Sequence, residues 1–163
     1  MEDEQLLDNL PSGTYTIINA TDPSRPIGRK PAEDKSLHPK GIYVLKPEEG
    51  GQNSVWQVEN IGGGGYTLKC NKAPTEAHDF RVWAILTDDE PSTVWKLKKS
   101  ERSPGGYVIT NKNDPIGPGW IVRSHDPEQD TPVEVQILVV GPSQPPFYPL
   151  TELFQFKKYE EEE

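Results

Sequence analysis

GTYTIIN (13–19), GGYTLKC (64–70) and GGYVITN (105–111) each carry a glycine ahead of Tyr-x-Ile or Tyr-x-Leu. A second signature, an aromatic residue two places before an apolar one, recurs in VWQV (55–58), VWKL (94–97) and LFQF (153–156). The two alternate along the chain: Tyr15 then Trp56, Tyr66 then Trp95, Tyr107 then Phe154. Side chains on a strand alternate faces, so each x-spaced pair points to one side of its sheet. The pattern therefore predicts three divergent repeats that turn their apolar pairs into one common core.

Outward from these signatures, alternation predicts short strands at 14–19, 26–29, 41–46, 54–59, 65–70, 80–86, 94–98, 106–111, 118–123, 132–139 and 152–158, with a weaker one at 73–78. Gly, Pro, Asn or Asp bounds each of them. About four strands per repeat, opening and closing on an apolar pair, suit a closed barrel that leaves no exposed sheet edge. The expected fold is all-β, a β-trefoil; an open two-sheet sandwich is the alternative. The domain plan is a flexible N-terminal arm over 1–11, a single domain over 12–159 and an acidic disordered tail over 160–163.

Composition agrees with this plan. Seventeen prolines and fourteen glycines in 163 residues leave few windows for a long helix. A net charge of -9 speaks against nucleic acid, which requires clustered Lys and Arg, and against an anionic membrane surface. The acidic start MEDEQLLDNL lacks the form of a secretory signal, and no stretch has the length of a membrane span. The expectation is a soluble, cytoplasmic monomer. Cys70 is the single cysteine, which rules out an intrachain disulfide; it stands where the other repeats have Asn19 and Asn111, as a packing residue.

Few residues suggest catalysis. His38, His78 and His125 fall one to a repeat without a second ligand at metal spacing, and no G-x-S-x-G elbow is present, so neither an enzyme nor a cofactor or metal is expected. The glycine run at 62–65 leads into a strand rather than a helix and reads as a hairpin turn, not a phosphate cradle. A carbohydrate site would need an aromatic platform; Trp120 beside His125 and Asp126 is the nearest set, though core packing is the plainer role for that Trp.

Two loops exceed what a connector needs: GRKPAEDKSLHPKG (28–41) and GPSQPPFYPLTE (141–152). Together with SGTYTIIN (12–19) and IGRKPAEDKSLHPKGIYVL (27–45), the terminal VGPSQPPFYPLTELFQF (140–156) resembles the β-trefoil serine protease inhibitors of mushrooms, the cospin-like or mycospin group. That resemblance implies a β-trefoil that inhibits trypsin-like serine proteases through an exposed loop. Inhibition of papain-like cysteine proteases, as in related mushroom trefoils, and a lectin-like module are the alternatives.

A trypsin-type specificity pocket has a carboxylate at its base and takes Lys or Arg at P1. Within 28–41, Lys30 precedes Pro31, a poor P1′ residue; Arg29 ends one predicted strand and Lys40 adjoins the next. The stretch Glu33, Asp34, Lys35, Ser36 and Leu37 remains, with Lys35 as P1 and Ser36 as P1′, flanked by the stiffening Pro31 and Pro39. Arg123 and Ser124 form a second possible reactive bond, and a plain solvated connector is the alternative reading of 28–41.

Overall fold

The computed structural model describes residues 10–87, 93–101, 106–112, 118–123, 126, 128–139, 141 and 148–159. Among these the regular structure is β with three short 3-10 turns. In chain order the strands are β1 (Gly13–Asn19), β2 (Ile27–Gly28), β3 (Lys40–Gly41), β4 (Tyr43–Val44), β5 (Trp56–Gly62), β6 (Gly65–Cys70) and β7 (Ala73–His78). They continue with β8 (Arg81–Ala84), β9 (Trp95–Lys99), β10 (Tyr107–Asn111), β11 (Pro118–Ile121), β12 (Thr131–Pro132), β13 (Glu134–Ile137) and β14 (Phe154–Lys158). The weak stretch at 73–78 is a full strand, β7.

The two sequence signatures form the barrel. β1 pairs with β5, β5 with β6, β6 with β9, β9 with β10, β10 with β14, and β14 returns to β1, all antiparallel. Each Tyr is the direct cross-strand partner of the aromatic residue that follows it in the alternation: Tyr15 of Trp56, Tyr66 of Trp95, Tyr107 of Phe154. A longer circuit of nine strands also closes, through β7, β8, β13 and β11 back to β10. Closure satisfies the backbone of these strands on both edges.

Hairpins close one end of the barrel: β2 with β4, β7 with β8, and β11 with β13. They meet in a ring of three hydrogen bonds: Ile42 N–H to Val82 O at 3.1 Å, Val82 N–H to Val133 O at 3.2 Å, and Val133 N–H to Ile42 O at 2.9 Å. This ring explains why the expected strands 41–46 and 132–139 are each interrupted, at Ile42 and Val133. Those amides serve the junction of the three hairpins rather than a neighbouring ladder. Ile42, Val82 and Val133 thereby mark equivalent positions in the three units.

The core sits where the sequence put it. The x-spaced signature residues are buried, and only Phe156 of that set is partly exposed. Trp120, from β11, lies at the centre, its ring 5.7 Å from Trp56, 5.5 Å from Trp95 and 5.6 Å from Phe154. Leu10 and Pro11, at the end of the expected arm, are tied to the barrel: Leu10 is buried and its carbonyl accepts from Tyr66 Oη at 2.9 Å, while Pro11 O accepts from Tyr15 Oη at 2.7 Å. The tail over 160–163 lies outside the described residues.

Candidate functional site

The loop between β2 and β3 is the hairpin connection of the first unit. In the second unit Asp79 and Phe80 alone turn the chain from β7 to β8. The first unit uses residues 29–39 for the same reversal. Barrel closure needs no loop of that length.

Its entry is fixed by backbone contact. Arg29 N–H donates to Asn53 O at 2.9 Å, and Asn53 Nδ2 donates back to Arg29 O at 2.6 Å. Gly28 permits this approach, because a Cβ there would lie 2.3 Å from Asn53 O. The exit is fixed by the β3–β8 ladder, with Lys40 opposite Ala84 and Gly41 opposite Trp83.

Three of the loop's four basic side chains are engaged. Arg29 makes a two-pronged contact with Glu33, Nε to Oε2 at 3.1 Å and Nη2 to Oε1 at 2.8 Å, in the fork geometry that suits guanidinium and carboxylate. Lys30 Nζ stands 4.6 Å from the centre of the Tyr43 ring, a cation–π contact. Lys40 is buried and turns its ammonium back into the loop, onto Asp34 Oδ1, Asp34 O at 3.3 Å and Ser36 Oγ at 3.2 Å. Lys35 is exposed and has no hydrogen bond or ion pair with any described residue.

On either side of Lys35 the backbone is held. Ser36 N–H donates to Asp34 Oδ1 at 2.9 Å and Ser36 Oγ donates to the same oxygen. His38 N–H donates to Ser36 Oγ at 3.3 Å. The donated bonds from Lys40 and then Ser36 hold the Asp34 carboxyl well below the usual carboxylate range. Because the folded value is depressed, the brace is fully formed above the ordinary Asp pKa of about 3.9 and is lost only as pH falls through the lowered value. Leu37, next in line, is 65% exposed.

Cys70 lies beneath the entry, its Sγ 3.3 Å from the Asn53 carbonyl that Arg29 also uses. Asn19 reaches the corresponding turn before β14, with Nδ2 3.1 Å from Thr151 O and 3.2 Å from Leu153 O. The equivalence of Cys70 and Asn19 is therefore structural as well as sequential. Burial pushes the Cys70 thiol up to about 12. Since the thiolate is the reactive form, a disulfide reagent at neutral pH is expected to modify Cys70 at least about a hundredfold more slowly than in the denatured chain. Absorbance of the released thiol measures this; equal rates would place the sulfur in contact with solvent.

Arg123 lies two residues beyond β11, as Lys30 lies two beyond β2, and its Nη1 is 3.6 Å from Glu134 Oε1. Ser124 and His125 lie outside the described residues. The loop around Asp126 and Gln129 is anchored from below by Arg25, which is fully buried. Its guanidinium donates to the carbonyls of Leu45, Val44, Asp126 and Gln129 at 3.0, 3.0, 3.2 and 2.6 Å. Trp120 is completely buried, so it offers no face to a sugar ring, and the aromatic platform considered for a carbohydrate site is ruled out. Of the Pro-rich loop, residues 142–147 lie outside the described residues, while Tyr148 is buried against Val108 and Leu153.

Two anchors were missed by sequence reasoning. Asn53 sits in a 3-10 turn far from the loop in sequence, and nothing in its neighbourhood signals a partner at Arg29. Lys40 opens β3, as its place before Gly41 suggests, but the direction of its side chain back toward Asp34 and Ser36 is set by the folded geometry.

The described residues thus form a closed all-β frame whose β2–β3 loop leaves Lys35 exposed. The chain belongs to the peptidase inhibitor I66 family, whose model matches residues 8–158. It is a protease inhibitor rather than an enzyme. A serine protease inhibitor from Lentinula edodes is 34% identical over 152 residues, covering 93% of this chain and all of that one. The solved structure of a proteinase inhibitor from Coprinopsis cinerea superposes with a TM-score of 0.81 at 32% identity, over 93% of this chain and 100% of that one. A designed 3-fold symmetric protein, ThreeFoil, shares the fold alone, with a TM-score of 0.65 at 14% identity over 90% of this chain and 99% of its own.

Proposed function

We propose that this inhibitor is a monomeric β-trefoil directed at trypsin-like serine proteases, and that it offers the Lys35–Ser36 bond to their active site. The trefoil reading is supported by the six-strand ring, the three hairpins and the ring of hydrogen bonds among Ile42, Val82 and Val133. The observation that carries the site is the difference among the basic residues. Arg29, Lys30 and Lys40 each have a partner within the molecule, and Lys35 is left facing solvent.

A free ammonium on a fixed backbone is what a pocket with a carboxylate floor selects. The loop is ordered before the encounter, so little conformational entropy is lost on association. The expected interface is of standard size, about 800 Å² per partner, with the P1 side chain at its centre.

Titration of trypsin with the purified protein tests this reading. Inhibition approaching one to one is expected. The Arg123→Ala variant should titrate within about threefold of the parent, because a side chain outside the contact centre contributes little. A parent that leaves trypsin-like enzymes active, or a large loss on Arg123→Ala alone, would move the site away from Lys35.

A further inference from the structure

Lys40 is an expensive residue for its place in β3, where it pairs with Ala84 of β8. It is 7% exposed, and an ammonium taken out of water has to be repaid by hydrogen bonds. The fold does not require a charge there. Counting two residues back from the equivalent Ile42, Val82 and Val133, the other units have Phe80 and Thr131 at this position. The described acceptors of the Lys40 ammonium are confined to two residues, Asp34 and Ser36, and these are the neighbours of Lys35 on its two sides.

We propose that Lys40 is a positioning residue that holds the two ends of the Lys35–Ser36 bond together when a protease cuts it, so that the chain is rejoined instead of released. The inference rests on the reading of Lys35–Ser36 as the bond offered to the protease. The protease serine attacks the Lys35 carbonyl carbon, the bond from that carbon to Ser36 N breaks, and the departing amine takes a proton from the protease's general acid. Water attack on the acyl-enzyme would give a Lys35 carboxylate and complete hydrolysis. In the reverse step the Ser36 amine attacks the same acyl carbon, gives its proton to the general base and regenerates both the peptide bond and the protease serine.

Which step wins depends on where the Ser36 amine goes after it leaves. Held by Asp34 Oδ1, with Lys40 bridging that oxygen and Ser36 Oγ, it stays beside the acyl carbon and blocks the incoming water. An amine tethered in this way reacts as an intramolecular nucleophile, with the large effective concentration that tethering brings. Without Lys40 the loop ends part, and water completes the reaction.

The test follows cleavage of the parent, Lys40→Met, Lys40→Arg, Ser36→Ala and Lys35→Ala by a catalytic amount of trypsin, using mass spectrometry for the cut chain beside an inhibition assay. The parent is expected to reach a plateau with intact chain remaining, and the isolated cut form to be partly rejoined. Lys40→Met should accumulate cut chain at least about tenfold faster, in the turnover number rather than KM, with inhibition decaying in parallel. A loop that is merely loosened would change KM as well. Lys40→Arg should recover part of the protection, and Ser36→Ala, which leaves the buried ammonium in place, should show an intermediate rate even if Lys40→Met folds poorly. Cleavage of Lys40→Met and Ser36→Ala no faster than the parent, with inhibition lost in Lys35→Ala, overturns the role of Lys40 alone. Undiminished inhibition in Lys35→Ala overturns the site itself, and the role of Lys40 with it.

Discussion

Trp120→Ala is expected to lower stability by about 3–5 kcal/mol, the range for removing a large aromatic side chain from a close-packed core. For a domain of this size the midpoint of thermal unfolding should fall by about 10 °C. Trp120 is where the three units touch: its ring contacts Trp56, Trp95 and Phe154, one aromatic residue from the last barrel strand of each repeat. Removing it opens a void at the middle of the core, walled by groups that the barrel ladders hold in place, so little collapse can fill it. The indole nitrogen has no hydrogen-bond partner among the described residues, whereas Trp56 Nε1 donates to Ile27 O at 2.8 Å and Trp95 Nε1 to Thr75 Oγ1 at 3.2 Å. The loss at Trp120 is therefore one of packing, and Trp120→Phe, which gives up no polar bond, should cost less than half as much. Calorimetry of the two variants decides; a shift below about 3 °C for Trp120→Ala would mean that the core relaxes around the gap.

The barrel was legible because its information is periodic. Tyr-x-Ile and Trp-x-Val each state a face, and their alternation states a pairing; Tyr15 with Trp56 is a sequence pattern that is also a cross-strand contact. The interruptions at Ile42 and Val133 were not legible, since the sequence there is apolar and regular and the break comes from a meeting of three hairpins. Arg25 was missed for a similar reason. A lone arginine in TDPSRPIG reads as a surface residue, and its burial depends on four carbonyls supplied by two other segments. At the loop, the prolines and strand edges separated Lys35 from Arg29, Lys30 and Lys40 by local rules. Local rules do not say where the other three cations turn, and Glu33, Tyr43 and Asp34 became their partners only through the folded geometry.

Lys35→Ala is expected to weaken trypsin inhibition by about a thousandfold, or about 4 kcal/mol, the size of a central anchor lost from an interface. The same change should leave thermal stability unaltered, because Lys35 is exposed and makes no hydrogen bond or ion pair with a described residue that its removal could orphan. That separation makes the measurement clean: affinity falls while the unfolding midpoint stays. Lys35→Arg should keep inhibition within about tenfold, since either cation reaches a carboxylate at the base of the pocket. Lys35→Leu should lose trypsin and gain a chymotrypsin-like protease, whose pocket is a hydrophobic slot of similar position. The braced backbone on both sides stays the same in all three, so the change of enzyme is governed by one side chain. Were Lys35→Ala to inhibit trypsin as the parent does at the same unfolding midpoint, the frame would stand and the reactive bond would have to be sought on another loop, beginning with Arg123.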